Sequence, residues 1–214
     1  MPALTKTQFV EMLHRSAQII DENHVALSEL DGELGDGDHG VTILRTMKAA
    51  TAAVEEGPDK PFADLLNSVA MKVMMCDGGS TSPLFGSYFL GLATGAVADE
   101  LTPEQTAQMF EAGLERFART SKAHVGDKTM LDALAPATEA LSAELRRSGD
   151  GPRAFAAAAD AAAQGAQRTT DYVAKFGRAR TMGERAIGHL DPGAQSISLI
   201  FRGFADTREG NVDG

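Results

Sequence analysis

Leu30-Asp31-Gly32-Glu33-Leu34-Gly35-Asp36-Gly37-Asp38-His39-Gly40 is the stretch that organises this chain. It places three aspartates and four glycines within the ten positions from Asp31 to Gly40. Ionised carboxylates about 4 Å apart repel each other by on the order of 4 kcal/mol at an effective dielectric constant near 20. Because glycine permits tight turns and hard cations prefer oxygen ligands, the stretch predicts a magnesium or calcium site. The alternative is a solvated acidic turn that ends a helix.

Three familiar motifs can be excluded. A calcium-binding loop starting at Asp36 would need glycine at Val41 and glutamate at Met47. The pattern Gly35-x-Gly37-x-x-Gly40 resembles a dinucleotide fingerprint, but that fingerprint follows a strand, and residues 8–28 have helical periodicity. The pair Lys128-Thr129 lacks the glycine spacing of a phosphate-binding P-loop.

The bulk composition limits the classes of function. The chain has 214 residues, 43% of them hydrophobic, and a net charge of −10. We expect one domain spanning residues 1–214, with an aliphatic, alanine-packed core because aromatic residues are few. The acidic charge argues against nucleic acid as a partner. With one cysteine and no long apolar run, the sequence predicts a soluble cytoplasmic protein without a membrane span.

Helical periodicity covers nearly the whole chain. We expect eight helices: about residues 6–28, a second after the aspartate stretch, a third from Pro61, 83–98, a fifth after Thr102, 129–147, 152–174 and 194–207. Thr5 with Gln8, and Thr102 with Gln105, have the spacing of capping boxes. Short connections favour antiparallel neighbours, so the predicted fold is an all-α, up-and-down, eight-helix antiparallel barrel.

Connections in such a barrel alternate between its two ends, which separates plain turns from unusual ones. The even-numbered connections, near Pro58, Glu100 and Gly149, have ordinary turn composition. The odd-numbered connections are the aspartate stretch, Asp77 to Ser82, Arg119 to Lys128, and Lys175 to Gly193. The sequence therefore predicts that the functional chemistry lies at one end of the barrel.

The odd-numbered connections contain features typical of phosphate binding. Asp77-Gly78-Gly79-Ser80-Thr81-Ser82-Pro83 is a glycine-rich turn before a helix N-terminus, which attracts anions. Simple N-capping is the alternative. Arginines near Arg178 suit phosphate contacts. For the third connection, the alternative to a functional role is a solvated charged loop. These parts favour a metal–nucleotide site for phosphoryl transfer, but they indicate neither the acceptor nor a covalent nucleophile.

Five ordered motifs carry a resemblance to a known family. They are Gly35-Asp36-Gly37-Asp38-His39-Gly40, Gly78-Gly79-Ser80, Pro83-Leu84-Phe85-Gly86, Gly126-Asp127-Lys128-Thr129-Met130, and the run from Gly183 to Gly193. Together they resemble the nucleotide-binding L subunit of dihydroxyacetone kinase, the DhaL family, over about residues 5–205. The resemblance implies an eight-helix barrel with ADP or ATP and two magnesium ions at one end.

The resemblance also implies residue roles. Asp31, Asp36 and Asp38 would be the magnesium ligands. The nucleotide contacts would be His39, Gly40, Thr42, Gly79, Ser80, Thr81, Ser121, Met130, Arg178, Asp191, Pro192 and Gly193. Ser82 and Ser121 stand where the family commonly has glycine, which puts the nearby nucleotide contacts in doubt.

By resemblance, the chain is half of an enzyme. The sugar would be held on a separate K subunit, with no catalytic residue on this chain beyond the metal–nucleotide site. The phosphoryl donor would be exchanging ATP, or bound ADP rephosphorylated by a phosphohistidine protein of the phosphotransferase system. Other small ketoses or tetroses, a nucleotide-sensing regulatory role, and a homodimer stay open as alternatives.

Overall fold

The computed structural model describes residues 3–209, so the expected domain of residues 1–214 extends beyond the described residues at both ends. Within this range the chain forms eight α-helices. They are α1 Lys6–Leu34, α2 His39–Glu56, α3 Phe62–Met75, α4 Thr81–Gly95, α5 Pro103–Ser121, α6 Leu131–Ser148, α7 Gly151–Arg168 and α8 Pro192–Glu209. Short elements complete the fold: strands β1 Leu4–Thr5 and β2 Glu100–Leu101, and 3-10 segments Thr169–Asp171 and Arg178–Ala186.

The helices close into a ring in chain order. Each helix packs against the next one, and α8 packs back against α1. Because most connections are short, sequential neighbours run antiparallel. This arrangement confirms the prediction of an all-α, up-and-down barrel. None of the helices within residues 3–209 combines the length and the apolar character that a membrane crossing requires.

The end of the barrel where the odd-numbered helices begin is stabilised by local caps. The Thr5 hydroxyl accepts the Gln8 N–H at 3.2 Å while the Gln8 side chain accepts the Thr5 N–H at 3.0 Å. Thr102 and Gln105 form the same capping box before α5, so both predicted boxes are confirmed. The sequence did not predict the small antiparallel ladder in which β1 pairs with β2 and joins the starts of α1 and α5.

The core combines alanine and aliphatic side chains with a cluster of aromatic rings. Every phenylalanine except Phe176 is buried. Phe110 lies 5.6 Å from Phe155 and 6.3 Å from Phe204, measured between ring centroids, and both pairs have the edge-to-face arrangement that aromatic rings favour. Most buried hydrophobic residues are nevertheless alanine or aliphatic side chains, as the composition led us to expect, and most of the few aromatic residues lie among them.

Two predicted helix boundaries need correction. Helix α1 continues six residues beyond Ser28 to Leu34, which packs into a small apolar cluster with Ala174 and Ala186. Helix α7 ends at Arg168 rather than near residue 174, and the connection to α8 contains the 3-10 segment Arg178–Ala186. At the end of α1, Leu34 makes apolar contacts with residues that are remote along the chain.

Candidate metal and nucleotide site

The connections after α1, α3, α5 and α7 meet at one end of the barrel. They enclose a cavity of about 700 Å³, lined by residues from all four connections and the adjoining helix ends. The predicted clustering of the odd-numbered connections is therefore confirmed. The opposite end carries β1, β2 and the capped starts of α1 and α5.

Three carboxylates converge at the edge of this cavity. One oxygen from each of Asp31, Asp36 and Asp38 lies within 4.8 Å of the other two. Asp31 belongs to the last turn of α1, whereas Asp36 and Asp38 lie in the short connection to α2. Gly37 adopts a φ of +75°, which glycine tolerates and which turns the chain tightly between them. A donor set of carboxylate oxygens alone fits a hard divalent cation such as Mg²⁺.

Asp31 also holds the start of α2 in place. Its Oδ2 accepts the backbone N–H of Asp38 at 2.9 Å and that of His39 at 3.2 Å. Asp38, the N-cap residue of α2, makes no side-chain capping hydrogen bond of its own. A carboxylate from α1 thus satisfies backbone donors at the start of α2. This contact sets the position of Asp38 relative to Asp31.

Asp38 is affected by the charges of its neighbours. The pKa of Asp38 is raised, first by partial removal from water and then by the charges of Asp36 and Asp31. Arg178 opposes the rise, and its Nη2 lies 2.8 Å from Oδ2 of Asp36. A positive side chain from the α7–α8 connection therefore offsets part of the negative charge of the three aspartates.

The glycine-rich connection before α4 leaves a helix N-terminus facing the cavity. Gly78, Gly79, Ser80 and Thr81 all line it. Gly79 has a φ of +54°, and Ser80, the N-cap residue of α4, makes no side-chain capping hydrogen bond. Backbone N–H groups at such an N-terminus, together with the positive end of the helix dipole, attract an anion.

His39 is a neutral member of the cavity wall. It is 8% exposed, and its Nε2 lies 3.1 Å from the Ser196 hydroxyl oxygen of α8. Burial lowers the pKa of His39 to about 4, although the charge of Asp31 acts in the opposite direction. His39 therefore presents an uncharged imidazole at pH 7.

Asp191 lines the cavity and caps the start of α8. Its Oδ2 accepts the Ala194 N–H at 2.7 Å. Burial raises the pKa of Asp191 to about 7, while the Ala194 N–H and then the Lys128 ammonium lower it. The neighbouring Gly193 is close to Met130, because a Cβ on Gly193 would lie 2.8 Å from Met130 Cγ.

Comparisons with known proteins agree with this geometry. The DAK2 domain matches residues 33–206. The chain is 35% identical over 204 residues to the ADP-binding subunit DhaL of the PEP-dependent dihydroxyacetone kinase of Escherichia coli K12, covering 95% of this chain and 97% of that protein. It belongs to the DhaL family. The ADP-binding subunit DhaL of the PTS-dependent kinase of Lactococcus lactis is 34% identical over 198 residues, covering 92% of this chain and 95% of that protein.

A solved structure related to this DhaL-family chain is the dihydroxyacetone kinase of C. freundii in complex with AMP-PNP and Mg²⁺. The two superimpose with a TM-score of 0.71 and 26% sequence identity over 96% of this chain. The chain spans about a third of that structure's length, since the match covers 34% of it. The resemblance recognised from five short motifs is thereby confirmed.

The structure brings together nearly all the residues that the DhaL resemblance selects. The predicted site residues that line the cavity are Asp31, Asp36, Asp38, His39, Thr42, Gly79, Ser80, Thr81, Ser121, Met130, Arg178, Asp191, Pro192 and Gly193. Their individual roles as ligands stay predictions.

Gly40 is the predicted nucleotide contact that lies elsewhere. It does not line the cavity. A Cβ at this position would stand 1.8 Å from the backbone oxygen of His24 and 2.6 Å from the Ser28 hydroxyl. Glycine is needed here because α2 crosses α1 at backbone contact distance. Gly40 therefore supports the site through helix packing.

Sequence reasoning missed two features of the DhaL site. The first is an apolar wall formed by Pro83, Leu84, Phe117 and Ala123, which the spacing of apolar residues could not separate from ordinary core. The second is Lys128, which the sequence placed in a solvated loop but which is only 2% exposed. Its membership of the family motif from Gly126 to Met130 was the one available signal.

The two serines that depart from the family pattern have different surroundings. Ser82 is buried, and its hydroxyl oxygen lies 3.1 Å from Cys76 Sγ. Ser82 therefore points into the protein beneath the glycine-rich connection and does not line the cavity. Ser121 does line it. The Ser121 hydroxyl donates to the Ala118 carbonyl at 3.1 Å and accepts the Ala123 N–H at 3.3 Å, which closes the end of α5.

Proposed function

We propose that this chain is the ADP-binding subunit of a dihydroxyacetone kinase. It would transfer a phosphoryl group from a magnesium-bound nucleotide to dihydroxyacetone held on a separate K subunit. The observation that carries this proposal is the convergence of three carboxylates within 4.8 Å at a cavity that also contains the open N-terminus of α4. Cation ligands and a phosphate-binding element at one site are what phosphoryl transfer requires.

Asp31, Asp36 and Asp38 would hold the metal, as two magnesium ions by the family resemblance. Their oxygen-only donor set and close spacing support this assignment. Held by these three side chains, Mg²⁺ would supply positive charge that offsets the negative charge of the transferring group. The chain's own contribution is to fix the positions of the carboxylates relative to one another, since Asp31 holds the start of α2 through two backbone N–H groups.

The nucleotide would lie between the carboxylates and the apolar wall. The N–H groups of Gly79 and Ser80 would bind phosphate oxygens, and Arg178 would add a positive charge. Phe117 and Leu84 offer an apolar surface for the purine base. Chemistry in this arrangement rests on positioning and charge compensation rather than on a covalent intermediate.

A separate partner would supply the sugar. The related C. freundii kinase is about three times as long as this chain, which matches only 34% of it. We propose that the missing functions, including binding of dihydroxyacetone, lie on a K subunit that docks at the open end of the barrel. The two relatives described above are both dihydroxyacetone kinase subunits, which favours this sugar over another small ketose or a tetrose.

The phosphoryl donor would be a phosphohistidine protein of the phosphotransferase system. The relatives carry the names PEP-dependent and PTS-dependent kinase. We propose that ADP stays bound and is rephosphorylated in place, so that the nucleotide acts as a resident cofactor. The single-domain organisation, the homodimer alternative and the cytoplasmic location stay predictions of the sequence.

Native mass spectrometry of the gently purified chain tests the first step. We expect ADP and Mg²⁺ to co-purify with the wild type and to be lost from Asp38→Asn. Asp59→Asn, a change at an exposed position in the α2–α3 turn, is the matched control and should retain both. A wild-type chain that neither co-purifies with nor binds added MgADP would contradict the assignment as a nucleotide-binding subunit.

Reconstitution tests the second step. The chain is mixed with a K-type subunit, dihydroxyacetone and either ATP or a phosphohistidine donor protein, and dihydroxyacetone phosphate is measured. We expect product with the phosphohistidine donor and no exchange of bound ADP for added ATP. Product with ATP alone would identify an ATP-dependent subunit. Absence of product with every donor, despite tight MgADP binding, would favour a regulatory protein that senses nucleotide state.

A further inference from the structure

The α7–α8 connection leaves the barrel and returns at a narrow neck. We call residues 170–188 the excursion, and Thr169 with His189 the neck. The Gly188 N–H donates to the Thr170 carbonyl at 2.7 Å, and the Asp191 N–H donates to the Thr169 hydroxyl at 2.9 Å. The excursion contains Arg178, whose guanidinium reaches Asp36 at the carboxylate cluster.

Lys128 lies at the neck, although it comes from a different connection. Its Nζ donates to the Thr169 carbonyl and to the His189 carbonyl, one on each side of the neck. The side chain is 2% exposed and the residue has a φ of +60°. An unusual backbone conformation at a non-glycine residue persists only where its surroundings hold it. One ammonium thus joins the two ends of a 19-residue segment.

The backbone on both sides of Lys128 is itself fixed by hydrogen bonds to buried carboxylates. The buried Asp132 carboxylate accepts the N–H groups of Gly126 and Thr129. The buried Asp127 accepts the His124 N–H at 2.8 Å and the Lys175 ammonium at 2.7 Å. The α5–α6 connection is therefore a rigid support rather than a solvated loop.

The charge of Lys128 is compensated by its neighbours. Burial lowers the pKa of Lys128, whereas the carboxylates of Asp191, Asp132 and Asp171 raise it. Two carbonyl oxygens accept hydrogen bonds from the ammonium, so its burial leaves donors satisfied. Removing this ammonium would leave both carbonyls without a charged donor inside the protein.

We propose that Lys128 is a positioning residue that clasps the neck and so holds the excursion with Arg178 above the carboxylate cluster. Lys128 lines the cavity, but its ammonium is occupied by the carbonyls of Thr169 and His189, so we assign it an action on the site through these two residues and no contact with the nucleotide. The proposal rests on the proposed function only for its consequence on MgADP binding. The effect of Lys128 on local opening of the excursion can be measured without nucleotide.

The chain offers a matched control at the opposite end of the barrel. Lys6 also donates from Nζ to two backbone carbonyls, those of Pro58 and Lys60, at 3.2 and 2.9 Å. A purely structural role for Lys128 would make Lys128→Met and Lys6→Met behave alike at the nucleotide site. A clasp role separates the two variants.

Limited trypsin digestion of the apo protein tests the clasp. The excursion contains cleavage sites after Lys175, Arg178, Arg180 and Arg185. Because cleavage follows the population of locally open states, we expect Lys128→Met to be cut there at least about tenfold faster than wild type. Lys6→Met should be cut there at the wild-type rate. Equal rates in Lys128→Met and wild type would overturn the proposal.

A second variant and a wild-type measurement guard against misfolding. Thr169→Val removes the hydroxyl tie to Asp191 without changing charge and should also accelerate cleavage of the excursion. In the wild type, amide hydrogens of Gly188 and Asp191 should exchange slowly, as the neck hydrogen bonds require. Fast exchange at both amides would overturn the proposal even if no variant folds.

Titration with MgADP links the clasp to the site. We expect Lys128→Met to bind about tenfold more weakly, and Arg178→Ala to have little further effect in that background, because the released arginine no longer contributes. Additive effects of the two changes would argue against positioning of Arg178 by Lys128. If the wild type itself does not bind MgADP, the proposed function fails, while the digestion result still decides the clasp.

Discussion

Removing one carboxylate from the aspartate cluster should stabilise the cation-free protein and abolish its response to MgADP. Asp38 is the member to change. Asp36 pairs with Arg178 at 2.8 Å, and Asp31 accepts two backbone N–H groups at the start of α2. Asp38→Asn removes a negative charge while preserving these contacts and the shape of the side chain.

The size of the effect follows from the spacing. Two charges 4.8 Å apart repel by about 1 kcal/mol in water and about 3–4 kcal/mol at an effective dielectric constant of 20. Asp36 and Asp38 are exposed, so the lower value applies to each of the two pairs that Asp38 forms. After subtraction of the attraction to Arg178, we expect a gain of up to about 1 kcal/mol, or roughly 2–4 °C in Tm for a chain of this size.

Thermal unfolding by circular dichroism measures both parts of the prediction. In EDTA, Asp38→Asn should melt above wild type. With MgADP at about 100 times its Kd, wild type should gain about 2.7 kcal/mol, whereas the variant should gain nothing measurable. The order of the two melting temperatures should therefore reverse between the two conditions. Asp59→Asn should follow wild type in both.

Two outcomes would refute this reasoning. A variant that melts below wild type in EDTA would mean that the carboxylates do not repel one another in the folded chain. A variant that gains as much as wild type from MgADP would mean that Asp38 is not part of the metal site. Retained helicity in the far-ultraviolet spectrum is required before either outcome is interpreted.

Two further predictions concern packing and pH. Gly40→Ala should lower the free energy of unfolding by more than about 2 kcal/mol, because its Cβ would stand 1.8 Å from the His24 backbone oxygen; urea denaturation measures this. Asp191→Asn should change the dependence of stability on pH. The pKa of Asp191 is raised from 3.8 to about 7 in the folded chain. Wild-type stability should therefore fall as the pH rises from about 4 to about 7. We expect a loss on the order of 1–2 kcal/mol, because the cavity gives Asp191 partial access to water.

Each of these predictions has an internal control. Gly32→Ala lies in α1 with no atom within 4 Å of the added Cβ, so it should stabilise the chain by about 0.5–1 kcal/mol. Equal effects of the two glycine changes would exclude close packing as the cause. For Asp191→Asn, the carbonyl of asparagine can still cap α8, and the gain over wild type should grow from pH 5 to pH 8. A gain that does not vary with pH would contradict the raised pKa.

The sequence by itself determined what depends on residues close together in the chain. The capping boxes of Thr5 and Thr102 need a side chain and a backbone group three positions apart. The aspartate stretch likewise sets its own convergence, because Gly37 turns the chain between Asp36 and Asp38. Alternation of the connections between the barrel ends then placed all four unusual connections around one cavity.

The tertiary structure decided what depends on contacts between remote segments. Lys128 is buried because its ammonium donates hydrogen bonds to the carbonyls of Thr169 and His189, which lie 41 and 61 residues further along the chain. Gly40 proved to be a packing residue because α2 approaches the backbone of α1 at His24. Burial and charge compensation are properties of the assembled environment of a side chain, so no pattern of neighbouring residues along the chain could have revealed them.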